Sequence, residues 1–123
     1  MKISIANNAV KEVQKKCHGG EGQILFREVF NRRDFESNLQ HLHETIIYPN
    51  STIGYHLHEG NEEIYYIIEG EGIMTVNGEE RKVSRGDAII THSGSKHGLR
   101  NNSDKSIKIL VFQCNYRNIN DKI

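Results

Sequence analysis

Short apolar runs separated by turn residues make up most of the chain, and none of them has the length of a helix core. In the run over residues 24–30, Ile24 and Phe26 fall on one face of a strand, and Leu25 and Arg27 fall on the other. Similar runs, rich in residue types that favour strands, cover residues 41–48, 52–58, 63–69, 73–76, 81–83, 88–92 and 107–114. Eight short strands without a long helix predict an all-β domain that closes into a small antiparallel β-barrel or stacks as a sandwich.

Turn residues and helical patterns refine this picture. Asn77-Gly78, between two of the apolar runs, is the strongest turn signal, because Asn-Gly suits both positive-φ positions of a two-residue hairpin. A helical pattern is weak and appears only over residues 7–16 and 32–39. We therefore predict an N-terminal arm, a single barrel and a polar C-terminal tail over residues 1–23, 24–114 and 115–123.

The composition fits one small domain that has no bulk affinity for nucleic acid. The 123 residues carry 16 basic and 16 acidic side chains without a long run of one sign, so we expect no nucleic-acid partner. We expect no membrane partner either, because no apolar run is long enough to span a bilayer and the N-terminus lacks a signal-peptide pattern. Cys17 and Cys114 lie far apart without a Cys-x-x-Cys, which is typical of reduced thiols. These features predict a soluble cytoplasmic protein.

Seven histidines in so short a chain are the main chemical signal. His56 and His58 lie two apart in a predicted strand, so their side chains share a face with Cα atoms about 6.5–7 Å apart. Glu63 begins the next predicted strand, and His97 follows a glycine turn further along the chain. A lone His-x-His is usually a pair of solvated histidines, but three imidazoles and one carboxylate that converge would bind a divalent first-row metal.

Two longer motifs contain these histidines, and fifteen residues separate the motifs. They read, in order, His56-x-His58-x4-Glu63-x6-Gly70 and Gly86-x5-His92-x-Gly94-x2-His97-x3-Asn101. In residue type and spacing the two motifs resemble those of the cupins, above all the small single-domain cupins that are similar to single domains of oxalate decarboxylase. The resemblance extends over about residues 24–114 and implies a double-stranded β-helix, the cupin jelly roll.

The resemblance also implies a metal centre. All four ligand positions of the family are filled here by competent residue types, namely His56, His58, Glu63 and His97. This donor set implies one divalent transition metal, with Mn or Fe favoured and Zn, Ni or Cu also accepted. One or two coordination positions would stay open to water, dioxygen or a chelating ligand.

Two positions depart from the family pattern. Asn50 stands where a glycine is expected, and Asn is the non-glycine residue that best tolerates a left-handed backbone, so we expect the turn to persist. His92 stands where a proline is expected. It is either a pocket histidine, and then a candidate catalytic residue, or a solvated loop residue.

Strand alternation gives a second catalytic candidate. If Glu63 faces inward, Tyr65 does so too, and it either hydrogen-bonds a metal ligand or bound substrate or merely fills the barrel. His41 and His43 share one face of another strand and point either into the cavity or to solvent. The sequence leaves that choice open, because a register slip of one residue would invert it.

By resemblance, the leading function is a metal-dependent enzyme that acts on a small polar metabolite as a dioxygenase, decarboxylase or isomerase. That range includes oxidoreductases, lyases and isomerases. The alternative is a non-catalytic module that binds or senses a small molecule or the metal itself. A ligand set of three imidazoles and one carboxylate leaves a positive ion, so the ligand is expected to be anionic, and Lys96 and Arg100 beside His97 would add to the attraction. We expect a homodimer paired through the arm and the strand over residues 24–30.

Overall fold

The computed structural model describes residues 1–6 and 9–116, and its regular structure is almost entirely β. The strands in chain order are β1 (Glu12–Lys15), β2 (Gln23–Phe30), β3 (Leu39–Ile47), β4 (Thr52–Leu57), β5 (Asn61–Glu69), β6 (Glu71–Val76), β7 (Glu79–Ser84), β8 (Ala88–Thr91), β9 (Lys96–Arg100) and β10 (Ile107–Asn115). Two short 3₁₀ turns, Cys17–Gly19 and Arg32–Asp34, precede β2 and β3.

The strands form two antiparallel sheets with one apolar core between them. The six-stranded sheet has the order β1-β2-β3-β10-β5-β8, and the four-stranded sheet has the order β4-β9-β6-β7. The buried apolar side chains come from both sheets and are Ile24, Ile47, Ile53, Tyr65, Ile67, Met74, Val83, Leu99, Ile107, Ile109 and Val111. This confirms the predicted all-β jelly-roll barrel. Within the described residues, no helix is long and apolar enough to cross a membrane.

The turns that the sequence predicted are present. Asn77 and Gly78 have φ values of 48° and 81°, and Val76 pairs with Glu79 directly across the hairpin between β6 and β7. Asn50 has a φ of 60°, so the left-handed turn before β4 forms without a glycine. Each of the eight predicted strands overlaps one observed strand, with its ends shifted by no more than two residues.

Neither of the two weak helical patterns forms an α-helix within the described residues. The segment over residues 7–16 contains β1, whose backbone pairs with β2, and residues 7 and 8 lie outside the described part of the chain. Over residues 32–39 only one 3₁₀ turn forms, because Asn31 and Asp34 cap it reciprocally and β3 then begins. In the first segment, backbone pairing in the sheet overrides a weak local helical pattern.

Two observed strands, β1 and β9, were not predicted. The stretch over residues 96–100, for which the sequence predicted no strand, forms β9 between β4 and β6. Strand β1 pairs with β2, and β3 occupies the other edge of β2. The strand over residues 24–30 is therefore not free to pair with a second copy, and the edges of this sheet are β1 and β8. Most of the predicted tail, residues 117–123, lies outside the described residues.

Candidate metal centre

The structure brings the four predicted ligands together from three strands and one turn. His56 lies on β4, His58 follows that strand, Glu63 lies on β5 and His97 lies on β9. Their ligating atoms all lie within 4.8 Å of one another. His97 is paired directly with His56, and an irregularity in the β4–β9 register between Ile53 and His56 precedes the ligand pair. The site therefore joins the two sheets, because Glu63 belongs to the six-stranded sheet and His56 and His97 belong to the four-stranded one.

The distances within the cluster fit ligands of one small cation. The Oε1 atom of Glu63 lies 3.2 Å from Nε2 of His58 and 3.2 Å from Nε2 of His97. The two Nε2 atoms lie 2.9 Å apart. Nitrogen and oxygen atoms that each bind one ion at about 2.0–2.2 Å have separations of this size.

The outer nitrogen of each histidine is held by a hydrogen-bond acceptor. The Nδ1–H group of His56 donates to the carbonyl oxygen of Gly54 at 2.7 Å. The Nδ1 atoms of His58 and His97 lie 2.8 Å from Oδ1 of Asn61 and from Oγ1 of Thr91, and each carries the donated proton when Nε2 binds a metal. In that tautomer the Nε2 atoms carry the lone pairs, and those of His58 and His97, which lie 2.9 Å apart, would repel each other unless a cation lies between them. Such outer hydrogen bonds are typical of metal-binding histidines, so this donor set fits a divalent transition metal.

The electrostatics keep two of the donors, His56 and Glu63, in the forms that bind metal. Burial lowers the pKa of His56 to about 4, so its imidazole is neutral at physiological pH. Burial alone would raise the pKa of Glu63, but the polar contacts that His41, His97 and His58 make with the carboxylate lower it to about 2. The carboxylate is therefore ionised at neutral pH, where it can bind a cation.

The two catalytic candidates lie in very different places. Tyr65 is buried inside the barrel, and its hydroxyl lies 3.3 Å from Nε2 of His97. Burial raises the pKa of the Tyr65 phenol well above its ordinary value, so the hydroxyl remains a hydrogen-bond donor. His92 is exposed, and its Nδ1 atom lies 2.9 Å from Oε2 of Glu62 rather than in the cluster. Lys96 and Arg100, which flank His97 along β9, are exposed as well.

A cavity of about 360 Å³ adjoins the four candidate metal ligands. His41 and His43 line it, which answers the question that the sequence left open, and their rings stack with centroids 3.8 Å apart. The Nε2 atom of His41 lies 3.5 Å from Oε2 of Glu63. The cavity thus contains histidines that are not among the four ligands, and their alternation on β3 was the signal for them.

The N-terminal arm contributes to the same cavity, which the sequence analysis did not predict. Cys17 and His18 line the cavity, and the ring of His18 stacks on that of His56 with centroids 3.7 Å apart. Cys17 is a free thiol whose pKa is raised by burial and by the charge of Glu63. No local pattern around these residues indicates the contact, because it depends on the arm folding back across β4.

Two glycines allow the arm to approach β4 this closely. A Cβ atom on Gly20 would lie 2.8 Å from the backbone nitrogen of Gly54, and a Cβ atom on Gly54 would lie 2.6 Å from that of Gly20. Both distances are shorter than van der Waals contact allows. Because neither position has a side chain, the backbone of the arm can approach β4 closely enough for His18 to stack on His56.

Replacing Thr91 with valine tests the outer hydrogen bonds. The substitution keeps the shape of this buried side chain and removes the acceptor for Nδ1–H of His97. We expect metal affinity to fall about 10- to 100-fold, because such partners orient the ligand and strengthen it. Competition titration with a chelator measures the affinity. The matched control is Thr75→Val on β6, where strand alternation turns the side chain away from the core residue Met74, and an equal loss there would contradict the assignment.

The fold and the site define a β-barrel with a candidate metal centre, and comparison with known proteins identifies its family. Residues 40–113 match the family model of the cupin domain, and the chain belongs to the cupin family. The oxalate-binding protein of Thermotoga maritima is 30% identical over 93 residues, which cover 76% of this chain and 77% of the relative. An uncharacterized protein of Methanocaldococcus jannaschii is 35% identical over 96 residues, 78% of this chain and 74% of the relative.

A solved structure of a predicted oxalate decarboxylase from Thermotoga maritima is similar over nearly the whole chain. The TM-score is 0.89 with 26% sequence identity, and the alignment covers 94% of this chain and 99% of the other. The polyketide cyclase RemF from Streptomyces resistomycificus has the same fold, with a TM-score of 0.76 and 22% identity. Proteins described by different activities thus share this barrel, so the fold alone does not identify a reaction.

Proposed function

We propose that this cupin binds one divalent transition metal through His56, His58, Glu63 and His97 and uses it to act on a small oxygen-rich anion. The observation that carries the proposal is the convergence of three imidazoles and one carboxylate beside a cavity. Mn and Fe are favoured because a carboxylate ligand suits Mn and this set resembles non-haem iron sites, and Zn, Ni and Cu would also bind. The reaction would be that of an oxidoreductase, a lyase or an isomerase.

The residues of the site favour a small anion. When bound, the metal supplies a Lewis acid that polarises a coordinated oxygen atom. Three neutral imidazoles and one carboxylate neutralise only part of a divalent charge, so the centre attracts anions. The protonated hydroxyl of Tyr65 can donate a hydrogen bond to a ligand oxygen beside His97. A relative described as an oxalate-binding protein supports an anionic ligand of this kind.

A non-catalytic binding module is the second candidate, and the composition of the cavity wall favours it. Among the described residues that line the cavity, Glu63 is the only carboxylate, and it belongs to the proposed ligand set. The wall thus offers no additional acid of this type for proton transfer. Incubating Mn-loaded protein with oxalate, in air and under argon, distinguishes the candidates: disappearance of oxalate supports an enzyme, and binding without loss supports the module.

Oxalate is expected to stabilise the metal-loaded protein and not the chelated protein. A ligand that binds only the folded state adds about 2.7 kcal/mol to the free energy of unfolding at a hundredfold excess over its Kd. Thermal melting of both forms over a range of oxalate concentrations measures the effect. Equal shifts in the loaded and chelated forms would show that oxalate does not bind at the metal.

We also propose a cytoplasmic homodimer. The outer face of the six-stranded sheet is a better candidate for its interface than the strand over residues 24–30, because that strand is already paired on both edges. The strand register aligns Leu42, Phe112, Ile64 and Ile90 across four strands on this face. Ile64 is 37% exposed and Ile90 is 45% exposed, so an apolar stripe is left uncovered.

Light scattering is expected to give twice the 14.1 kDa mass of one chain. Ile64→Glu is expected to shift the protein towards the monomer, because burying a charge in an apolar interface is costly. Leu57→Glu, an exposed position on the other sheet, is the control and is expected to leave the mass unchanged. A monomeric wild-type protein at micromolar concentration would exclude the dimer.

A further inference from the structure

The cavity is larger than a chelating group alone requires. Its volume of about 360 Å³ corresponds to roughly a dozen waters, and it lies in the size range of pockets that bind whole metabolites. A small ion such as oxalate, bound at the metal, would leave much of this space unfilled. The size of the cavity therefore indicates a ligand with a further substituent.

The cavity wall becomes less polar with distance from the four candidate metal ligands. The strand register arranges the inward side chains of the six-stranded sheet in rows. The row nearest the four ligands is polar and consists of His41, Gln113 and Glu63. The next row is mixed and consists of His43, Val111 and Tyr65. The third row is mainly apolar and consists of Phe26, Thr45, Ile109 and Ile67. Ile24, which follows the third row along β2, and Ile53 from the opposite sheet also line the cavity, as does Gln14, which pairs with Ile24. A ligand that extends away from the metal thus meets mainly apolar side chains, with Thr45 and Gln14 as the polar ones.

An unpartnered donor lies at the polar end of the cavity. The Nε2 atom of His41 is buried and has no hydrogen-bond partner among the residues that the structure describes. It lies 3.5 Å from Oε2 of Glu63, so an oxygen atom of a ligand bound beside Glu63 would be within its reach. A buried polar atom without a partner is costly, and a carboxylate oxygen at this point would satisfy it.

We propose that the ligand is a 2-oxo or 2-hydroxy carboxylate with an apolar substituent, an inference that rests on the proposed metal centre and specifies its ligand class. The two neighbouring oxygens of such an acid chelate the metal, and the Nε2–H group of His41 donates to the carboxylate. The substituent lies against Val111 and Phe26 and extends towards Ile24. A sugar fits this wall poorly, because its hydroxyls would face apolar side chains.

Calorimetric titration of Mn-loaded protein with pyruvate, 4-methyl-2-oxopentanoate, phenylpyruvate and oxalate tests the proposal. Each methylene group that becomes fully buried is expected to raise affinity about fourfold. We therefore expect 4-methyl-2-oxopentanoate to bind at least roughly tenfold more tightly than pyruvate. Chelated protein is expected to bind none of the acids. His41→Leu is expected to weaken all four acids alike while the bound Mn content stays the same.

A larger side chain at the apolar end of the cavity tests the proposed ligand class separately from the proposed metal centre. Val111→Phe is expected to remove the advantage of the larger acids and to leave oxalate binding unchanged. The matched control is Leu110→Phe, at the residue of β10 that precedes Val111 and lies on the outer face. If the Val111 variant does not fold, Phe26→Ala removes apolar contacts instead and is expected to weaken only the larger acids.

The outcomes are distinguishable. If oxalate binds the loaded protein but pyruvate and 4-methyl-2-oxopentanoate have equal affinity, the ligand class is wrong and the metal centre stands. If both substitutions in the apolar wall leave the larger acids unaffected, the placement of the substituent is wrong. If the loaded protein binds none of the acids, the proposed function fails, and the inference fails with it.

Discussion

Replacing His58 with alanine is expected to abolish stoichiometric metal binding and to lower the melting temperature to that of the chelated wild-type protein. The Nε2 atom of His58 lies 3.2 Å from Glu63 and 2.9 Å from His97, so its loss leaves a gap in the middle of the ligand set. A metal present at a thousandfold excess over its Kd stabilises the folded state by about 4 kcal/mol. Metal analysis of the purified protein and calorimetric melting with and without chelator measure the two effects.

His92→Ala is the matched control for this prediction. His92 belongs to the second cupin motif, but it is exposed and paired with Glu62 away from the cluster. Its removal is expected to leave both metal content and melting temperature unchanged. One tightly bound metal per chain in the His58 variant would show that the ligands are assigned incorrectly.

Replacing Gly54 with alanine is expected to detach the N-terminal arm from β4. The added Cβ atom would lie 2.6 Å from the backbone nitrogen of Gly20, and backbone atoms cannot move aside as the end of a flexible side chain can. Overpacking of this kind typically lowers the free energy of unfolding by about 1–3 kcal/mol. The stacking of His18 on His56 would be lost at the same time, so metal affinity is expected to fall as well.

The thiol of Cys17 reports on the arm directly. Cys17 lines the cavity in the folded protein, and we expect it to react much faster with an alkylating reagent once the arm is released. The experiment uses a Cys114→Ser background, so that Cys17 is the only thiol. Gly60→Ala is the control: Gly60 has a φ of 74°, but a Cβ atom added there would meet no other atom within 4 Å, so its replacement strains only the local backbone. If Cys17 reacts at the same rate in the Gly54 variant and the wild type, the arm does not depend on this contact.

The sequence predicted the barrel because most strands have one face in the core. Such strands show alternating burial, as in β5, where Tyr65 and Ile67 are buried and Tyr66 is exposed. Strand β1 shows no such alternation, because it is largely exposed and forms by pairing with β2. Strand β9 is short and contains Gly98, which hid its alternation.

The candidate metal ligands were predictable because the spacing of the motifs follows the strand geometry. The rest of the cavity was not, since it depends on contacts between distant parts of the chain. Cys17 and His18 reach it only because the arm folds back across β4. The direction of His41 and His43 depends on the register between β3 and β10, which pairs His43 with Val111 and His41 with Gln113. No local pattern specifies that register.

The position of the cluster between the two sheets determines when during folding an ion can be captured. His58 and His97 are separated by 39 positions in the chain, and Glu63 reaches them from the opposite sheet. We expect their ligating atoms to meet only after both sheets have formed and docked, because the fold is dominated by contacts between distant residues. An ion bound there would join the finished sheets and mainly slow their separation, while the rate of folding would be set by the chain alone.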